Sequence, residues 1–346
     1  MATNNQDLLV LEDKIKKATL PDELRIMVTA RLNQLDKLSG TDSFLTEFDR
    51  LNNYVDWIVN LPWANRTKDI LDLDYAKKIL DSHHFGLTEI KDRIFEYVSV
   101  LKLKGADTKE IARAPILCFV GLVGTGKTTI ASSIAEAMGR KFARIPFGGM
   151  GDPLDLRGQS RMHPEAEPGK IIKALRATGS KNPVILLDEI DRVTTEGRSS
   201  IMGVLVELLD PGQNIAFTDY YVDYPFDLSE VLFIATANNT TNIATAVLDR
   251  LEPISMPSYT DQEKIAIARQ YILPKAMKVA GLTDLQLAFD ENVWPQIVRP
   301  LGFDAGIRTL ERTIDGVVRK VAREIVEGKE KGVKLSSLNV KQYLPQ

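Results

Sequence analysis

The sequence is poor in the residues that build disulfides and metal sites. Of its 346 residues, one is cysteine, Cys118, and three are histidine, His83, His84 and His163. A single cysteine cannot form an intramolecular disulfide, which suits a reducing compartment such as the cytoplasm. One cysteine and three histidines also give no spacing typical of a zinc site. We therefore expect neither a disulfide framework nor structural zinc.

Long apolar runs and a strong excess of one charge are also missing. No stretch approaches the roughly 18–20 consecutive apolar residues of a membrane helix, and residues 1–7 lack the apolar part of a signal peptide. The net charge is −3, so no large positive field favours nucleic acid as the main partner. With 44% hydrophobic and 26% charged residues, the composition predicts a soluble cytoplasmic protein of roughly two or three domains, without a membrane partner.

Apolar residues recur at helical spacing in the first part of the chain. Between residues 24 and 38, and again between residues 44 and 58, they are three or four positions apart. Pro62 prevents the second of these helices from continuing. We interpret residues 1–66 as a helical N-terminal segment, either a hairpin with one buried seam or an arm that contacts neighbouring subunits.

The strongest signal is a glycine-rich loop between an apolar strand and an amphipathic helix. Residues 116–120 are continuously apolar, as in a buried parallel strand, and residues 121–128 match the pattern G-x-x-x-x-G-K-[ST]. In this motif, glycines let backbone N–H groups converge on phosphates at a helix N-terminus. Lys127 would reach the β- and γ-phosphates of ATP, and Thr128 would ligate Mg²⁺. The residues predicted to contact ATP or ADP here are Gly121, Val123, Gly124, Thr125, Gly126, Lys127, Thr128 and Thr129.

Two further apolar runs end in polar residues. Residues 184–187 lead to Asp188 and Glu189, and residues 231–237 lead to Asn238. Asp188 would hold Mg²⁺ through its water shell, and Glu189 would orient and polarise the attacking water. Asn238 would touch the γ-phosphate or that water, although an asparagine after a strand is also a common turn former.

Two arginines follow these strands in the chain. Arg250 stands in Leu-Asp-Arg, and Arg308 stands in Gly-Ile-Arg-Thr-Leu. Taken singly, each arginine is most simply a surface charge. Together with the phosphate loop, they fit the cations that neutralise charge in phosphoryl transfer, one from the same subunit and one from its neighbour.

A break between two predicted helices lies upstream of the phosphate loop. It consists of His84, Phe85, Gly86 and Leu87. A flat ring beside a flexible glycine could cover a nucleotide base. An ordinary turn between helices explains the same residues equally well.

The order of these motifs resembles that of AAA+ ATPases, and longer stretches resemble the ATPase module of Lon proteases. The resemblance runs from about residue 10 to the end of the chain. It implies an α/β fold in which residues 67–255 form a parallel-sheet P-loop AAA+ core and residues 256–346 form an α-helical lid. The stretches that carry it include residues 54–58, 84–87, 113–121, 186–191, 207–214, 217–221 and 233–239.

The resemblance also implies a role for each matched residue. Asn238 and Arg308 match the two sensor positions, and residues 84–87 match the stretch that lines the adenine pocket. Arg250 matches the finger that reaches the γ-phosphate bound by the neighbouring subunit. Since Arg250 would act in trans, we expect a homo-oligomeric ring, specifically a hexamer.

Two parts of the family pattern are not matched. The family's protease domain, with its Ser–Lys dyad, and its N-terminal β-domain have no counterpart in these residues. We therefore expect no peptidase activity from this chain itself.

The segment that corresponds to the family's pore loop is altered. The family usually has an aromatic–aliphatic pair followed by glycine, whereas this sequence has His163 and Pro164 followed by Glu165. One interpretation is that threading of unfolded protein is impaired or retuned toward basic segments. The other is that the preceding Met162 substitutes as the gripping residue.

The leading hypothesis is a Mg²⁺-dependent ATPase that couples hydrolysis of ATP to unfolding and translocation of protein substrates. In a longer parent chain it would feed a protease domain. One alternative is a free-standing remodeller or partner-binding ATPase without a protease, which the reading frame after Gln346 would distinguish. Another is a nucleic-acid motor, which salt-dependent DNA binding would favour.

Overall fold

The computed structural model describes residues 2–41, 43–104, 116–299 and 306–344. Its helices are α1 (Ala2–Lys17), α2 (Asp22–Asp36), α3 (Phe44–Val59), α4 (Leu73–His83), α5 (Thr88–Lys104), α6 (Lys127–Ala137), α7 (Leu154–Arg157), α8 (Lys170–Thr178), α9 (Arg198–Leu209), α10 (Thr245–Leu248), α11 (Asp261–Ile267), α12 (Leu273–Ala280), α13 (Trp294–Val298), α14 (Arg308–Val326) and α15 (Val340–Tyr343). Its strands are β1 (Ile116–Val120), β2 (Phe142–Pro146), β3 (Val184–Asp188), β4 (Phe217–Thr218), β5 (Pro225–Phe226), β6 (Leu232–Ala237), β7 (Leu251–Ser255), β8 (Leu287–Phe289) and β9 (Val333–Leu335).

The central sheet has five parallel strands in the order β2-β3-β6-β1-β7. Helices cover both faces, which explains why β3 and β6 are buried along their length and apolar except for Asp188 and Thr236. The carboxyl ends of β1, β3 and β6 lie side by side at one edge of the sheet. The α/β fold with a parallel sheet, expected from the sequence, is thereby confirmed.

The three N-terminal helices belong to a hydrophobic cluster that also contains side chains from one face of this sheet. The Tyr54 hydroxyl on α3 donates a hydrogen bond to the Val222 carbonyl at 3.0 Å. Four positions of the predicted α2 stripe are buried, whereas Leu38 is exposed because the helix ends at Asp36. The boundary near residue 66 stays a prediction.

The opposite face of the sheet is covered by α5 and α6. Strand side chains alternate between the faces, so Leu117 and Phe119 point toward these helices and Cys118 points toward the N-terminal side. The glycine-rich loop therefore runs from the middle of the sheet directly into a helix that packs beneath it.

The C-terminal part has its own hydrophobic cluster. Leu310, Ile314, Val317 and Val321 recur at helical spacing and lie on the buried face of α14. β8 and β9 form a small parallel pair beside it. No helix in the described ranges is both long and apolar enough to cross a membrane.

Candidate active site

Three predicted elements of the nucleotide site meet at the carboxyl edge of the central sheet. The phosphate loop follows β1, Asp188 ends β3, and Asn238 follows β6. Because β6 lies between β1 and β3, Asn238 lies between the loop and the acidic pair. Open α/β sheets bind their ligands in the crevice at this edge.

The glycines of the phosphate loop are required by its backbone. A Cβ atom at Gly121 would lie 2.5 Å from the Met256 carbonyl oxygen, which belongs to the backbone after β7. Gly124 and Gly126 have φ angles of 84° and 95°, a region that favours glycine. Gly126 immediately precedes α6, so the loop's backbone N–H groups lie at a helix N-terminus.

The remaining predicted loop contacts are arranged around this backbone. The Thr125 hydroxyl donates to the Leu122 carbonyl at 3.0 Å, and the Thr129 hydroxyl donates to the Gly126 carbonyl at 2.8 Å. Val123 is partly exposed on the outer side. These bonds fix the loop's shape, and the contacts of the three residues with a nucleotide stay a prediction.

Lys127 is buried and turns its ammonium group into the loop. Its Nζ donates to the Gly121 carbonyl at 2.6 Å, to the Leu122 carbonyl at 2.9 Å, and to Asn238 Oδ1 at 3.2 Å. Burial lowers the pKa of Lys127, although the carboxylates of Glu189 and Asp188 act in the opposite direction. An anionic ligand would therefore stabilise a buried charge that has only neutral hydrogen-bond partners here.

Asp188 and Thr128 supply the oxygens that suit a magnesium ion. Thr128 Oγ1 lies 3.5 Å from Asp188 Oδ1, and the buried Thr236 hydroxyl donates to the same carboxylate oxygen. Mg²⁺ in nucleotide sites uses one or two protein oxygens, with phosphates and water as its other ligands. Since the described residues contain no cluster of three metal-ligating side chains, this pair fits a nucleotide-bound Mg²⁺ better than an independent metal site.

The second oxygen of Asp188 is held by Arg144 from β2. Arg144 Nε lies 2.7 Å and Nη2 lies 2.6 Å from Asp188 Oδ2. The two oxygens of the Asp188 carboxylate therefore have different partners: Oδ1 faces Thr128, and Oδ2 faces Arg144. This pairing fixes the direction in which Asp188 offers an oxygen to a cation.

Glu189 follows Asp188 in an uncommon backbone conformation. Its φ is 57°, and the hydrogen bond from its N–H to Thr236 Oγ1, at 2.8 Å, holds it there. Its carboxylate lies beside Gly148, where a Cβ would be 3.4 Å from Oε2. The side chain is partly exposed at the sheet edge, as a group that meets a water molecule must be.

Asn238 carries an unsatisfied donor into the site. Its Oδ1 accepts from Lys127, whereas Nδ2 is buried and has no hydrogen-bond partner among the described residues. Buried side-chain nitrogens are nearly always paired. A free donor beside the ammonium group therefore fits a residue that contacts a phosphate oxygen or water.

The lid contacts the phosphate loop through its own backbone. The Ile307 N–H donates to the Gly124 carbonyl at 3.0 Å, and a Cβ at Gly306 would lie 2.7 Å from the carbonyl carbon of Gly124. Arg308 begins α14 directly beside this contact. The Tyr259 hydroxyl donates to the Thr125 carbonyl at 3.2 Å, and burial raises the pKa of Tyr259 to about 12.

The segment of residues 84–87 lies between α4 and α5 and reaches both the sheet domain and the lid. Phe85 packs against the lid cluster, whereas Leu87 packs against the cluster beneath the sheet. Gly86 and Leu87 both have positive φ, so the chain turns sharply here. This placement fits a wall of an adenine pocket, and that role stays a prediction.

His84 itself is buried, and its contacts are with other parts of the protein. Its Nε2 lies 2.9 Å from the Ser133 hydroxyl on α6, while Lys91 donates to its backbone carbonyl at 2.7 Å. Burial lowers the pKa of His84 to about 4, and the nearby His83 and Lys91 act in the same direction. The neutral ring therefore ties this segment to the helix that carries the phosphate loop.

Arg250 is the one predicted catalytic residue that lies away from the others. It precedes β7, which runs parallel to β1 with Ile116 opposite Leu251, so Arg250 lies at the amino edge of the sheet. The five residues of β7 separate it from the nucleotide edge by about 16 Å of strand. Its guanidinium group donates to Asp210 Oδ2 at 2.9 Å, and this bond lowers the pKa of Asp210.

The predicted pore-loop residues form an exposed tip on a fixed base. The side chain of Met162 is 87% exposed, and His163 and Pro164 are also exposed. At the base, the buried Asp219 carboxylate accepts from the Gly169 N–H at 2.7 Å. Their role in gripping a substrate stays a prediction.

Three residues of the site were not identified from the sequence. Thr236 could have been found, because it is a lone hydroxyl in an apolar strand that ends at the site. Arg144 and Tyr259 carry no such signal, because their roles depend on β2 lying beside β3 and on the lid folding back onto the loop.

Comparison with known proteins agrees with this geometry. Residues 117–258 match the ATPase family associated with various cellular activities (AAA), and residues 278–334 match the Lon protease AAA+ ATPase lid domain. The chain therefore combines an AAA ATPase domain with a Lon-type lid domain. It is 44% identical over 340 residues to the Lon protease of Lawsonia intracellularis and 43% identical over 346 residues to Lon protease 2 of Thermus thermophilus.

These relatives are much longer than this Lon-type module. Each alignment covers 98% of the chain but only 40% of the Lawsonia protein and 43% of the Thermus protein. The chain thus spans about two fifths of the length of the curated relatives that it matches.

Proposed function

We propose that this chain hydrolyses Mg²⁺-ATP to ADP and couples the reaction to unfolding and translocation of protein substrates. The observation that carries the proposal is the convergence of Lys127, Asp188 and Asn238 at the ends of three adjacent strands. A buried ammonium group, a carboxylate beside a hydroxyl, and an unpaired amide donor are together complementary to a Mg²⁺-bound triphosphate.

Each residue of this set has a distinct chemical task. When bound, Mg²⁺ supplies positive charge that offsets the charge of the β- and γ-phosphates. Thr128 and Asp188 would hold it, and Lys127 would bind the same phosphates through its ammonium group. Glu189 orients the attacking water and accepts its proton.

A subunit would receive its finger arginine from a neighbour. Arg250 lies at the opposite edge of the sheet from the nucleotide site of its own chain, and its side chain is 27% exposed, which leaves part of it accessible to a second copy. This supports a homo-oligomeric ring, which we propose to be a hexamer.

The position of Arg250 makes a mixing experiment informative. Arg250→Ala subunits keep an intact pocket but donate no finger, whereas Lys127→Ala subunits donate a finger but bind phosphate poorly. Each variant alone should hydrolyse ATP slowly, and the mixture should recover part of the lost rate. No recovery in mixed oligomers, verified by sedimentation, would contradict a finger that acts in trans.

The lid is placed to convert changes at the phosphate loop into motion. Tyr259 and Ile307 both hydrogen-bond backbone carbonyls of that loop, and Arg308 begins the long lid helix beside it. Loss of the γ-phosphate would alter these contacts, and lid movement against the α/β domain would follow.

Protein substrates would be contacted by the loop of residues 159–169, whose tip exposes Met162. In a longer parent chain, the module would deliver such substrates to a protease domain. We propose a cytoplasmic location, in line with the single buried Cys118.

An unfolding assay tests the coupling. The chain, shown by sedimentation to be assembled, is mixed with a tagged globular protein, and loss of that protein's tertiary fluorescence is followed with ATP. We expect ATP-dependent unfolding that Glu189→Gln abolishes. Hydrolysis without unfolding would instead favour the alternative of a partner-binding ATPase that does not thread protein.

A further inference from the structure

A second cavity lies outside the nucleotide site, between the N-terminal helices and the loop of residues 159–169. Its volume is about 800 Å³, within the range of about 300–1,000 Å³ that is typical of ligand sites. Residues of α2 and α3 form one wall, and Arg161, Met162, Tyr220 and Asp223 form the other. We call this cavity the entry groove.

The entry groove carries more positive than negative charge. Its lining includes three arginines and two carboxylates, Glu47 and Asp223. Arg50 pairs with Glu47 at 3.0 Å, and Arg161 pairs with Asp223 at 3.1 Å. This leaves Arg31, which makes no ion pair with any described residue and lies 5.9 Å from the Tyr54 ring centroid.

Arg161 also keeps part of its hydrogen-bonding capacity unused. Its guanidinium group stacks 3.9 Å from the Tyr54 ring centroid, and its buried Nη1 has no hydrogen-bond partner among the described residues. Burial lowers the pKa of Arg161, which reflects the cost of holding this cation away from water. Arg31 and Arg161 therefore both lie over one tyrosine ring, and the partly exposed Arg31 offers donors that a carboxylate would satisfy.

Apolar side chains line the same groove. Leu38 is 38% exposed at the end of α2, Leu51 is half-buried on α3, and Tyr220 is 45% exposed on the opposite wall. Met162 projects from the loop tip beside them. A ligand that combines carboxylates with apolar side chains would thus complement both the charge and the surface of the groove.

We propose that the entry groove binds extended acidic–apolar segments of protein substrates, a specificity that rests on the proposed function. The preferred substrate segment is therefore negatively charged. The two glutamates of the loop, Glu165 and Glu167, would by themselves favour basic segments instead. Glu167 is paired with Lys173 at 2.5 Å, and neither glutamate is among the residues that line the groove. The loop contributes Arg161 and Met162 instead.

Peptide binding to the whole chain tests this inference directly. The probes are two fluorescently labelled decapeptides, one of alternating Glu and Leu and the other of alternating Lys and Leu, followed by anisotropy at moderate salt. We expect the Glu–Leu peptide to bind at least about tenfold more tightly. Arg31→Glu should remove this preference or reverse it, because the excess charge of the groove becomes negative.

Arg319→Glu is the matched control, since Arg319 is exposed on the lid helix and the net charge changes equally. It should retain the wild-type preference. If Arg31→Glu does not fold, as judged by circular dichroism, Arg31→Gln takes its place and should lose most of the preference. Equal binding of the two peptides, or equal loss in the Arg31 and Arg319 variants, would overturn the inference.

Measuring ATP hydrolysis in the same samples separates this inference from the proposed function. Normal hydrolysis without a peptide preference would refute the entry groove alone. A preserved preference that depends on Arg31, in a chain that hydrolyses no ATP, would refute the proposed function and leave the acidic–apolar binding site standing.

Discussion

The phosphate loop, residues 121–128, and the substrate loop, residues 159–169, both lead into a helix of the same α/β domain. The phosphate loop is held at several points, with Lys127 making three hydrogen bonds and the Ile307 N–H of the lid donating to the Gly124 carbonyl. The substrate loop is anchored at its base, where Asp219 holds Gly169, and Arg161 pairs with Asp223, whereas its tip leaves Met162 in solvent.

This difference reflects the ligands that the two loops would meet. A triphosphate has one shape, so the loop that binds it gains from a backbone fixed in advance. A polypeptide that is being threaded presents changing side chains, so the loop tip that contacts it must bind by apolar contacts that accept many side chains. Only the base of the substrate loop needs a fixed conformation. Substitutions in the phosphate loop should therefore weaken nucleotide binding. Substitutions at the base of the substrate loop should instead weaken the attachment of that loop to the fold.

Gly121→Ala should cause the largest loss, because the new Cβ would meet the Met256 carbonyl oxygen, a backbone atom that cannot move aside. We expect nucleotide affinity to fall by at least about 100-fold, or about 2.7 kcal/mol, in a titration with a fluorescent ATP analogue. The control is Gly203→Ala in α9, where no atom lies within 4 Å of a new Cβ. Wild-type affinity in Gly121→Ala would contradict the rigid-loop account.

Asp219→Ala should break the anchor of the substrate loop. It would leave the N–H groups of Gly169, Tyr221 and Val222 without their acceptor, which we expect to cost about 3 kcal/mol of unfolding free energy. Chemical denaturation measures this, with the exposed Asp284→Ala as control. Nucleotide affinity should change less than about threefold, and a loss as large as that of Gly121→Ala would abolish the contrast between the loops.

The pH dependence of stability probes His84, which ties the segment of residues 84–87 to α6. Since burial lowers the pKa of His84 to about 4, the unfolded chain binds the proton more readily, and stability falls as pH drops below the ordinary histidine value. Between pH 7 and pH 5 the expected loss is about 2 kcal/mol. Denaturant titrations at both pH values should show a smaller loss for His84→Gln, whereas the exposed His163→Gln should behave like wild type.

Met162→Ala should have the smallest effect on the fold. With its side chain in solvent, the unfolding free energy should change by less than about 0.5 kcal/mol. Stimulation of ATP hydrolysis by an unfolded protein should nevertheless fall severalfold, whereas Leu285→Ala, an equally exposed change in the lid, should have no effect. Unchanged stimulation in Met162→Ala would argue against the gripping role of this residue.

The sequence predicted the central strands of the sheet better than its edge strands and the ends of helices. The apolar runs at residues 116–120 and 184–187 lie within β1 and β3, because a strand that is buried on both faces must be apolar along most of its length. The edge strands β2 and β7 were not predicted, since each mixes polar and apolar residues and β7 contains Pro253. Leu38 looked like part of a buried stripe, yet the helix ends before it.

A similar division holds for the candidate site. Lys127, Asp188 and Asn238 were predicted because each follows an apolar run and carries a chemically typical side chain. Arg144 and Arg31 were not, since their importance arises from contacts between segments distant in sequence. Local pattern identifies the groups at strand ends, whereas only the tertiary structure reveals which charges surround them.

The most direct measurement is ATP turnover by Glu189→Gln, compared with wild type and with the exposed Glu330→Gln. We expect Glu189→Gln to bind ATP within about threefold of wild type but to lose at least about 100-fold in turnover, since an amide group cannot accept the water's proton. Glu330→Gln should retain both. Undiminished hydrolysis by Glu189→Gln would contradict the claim that these strand ends form an ATP-hydrolysing site.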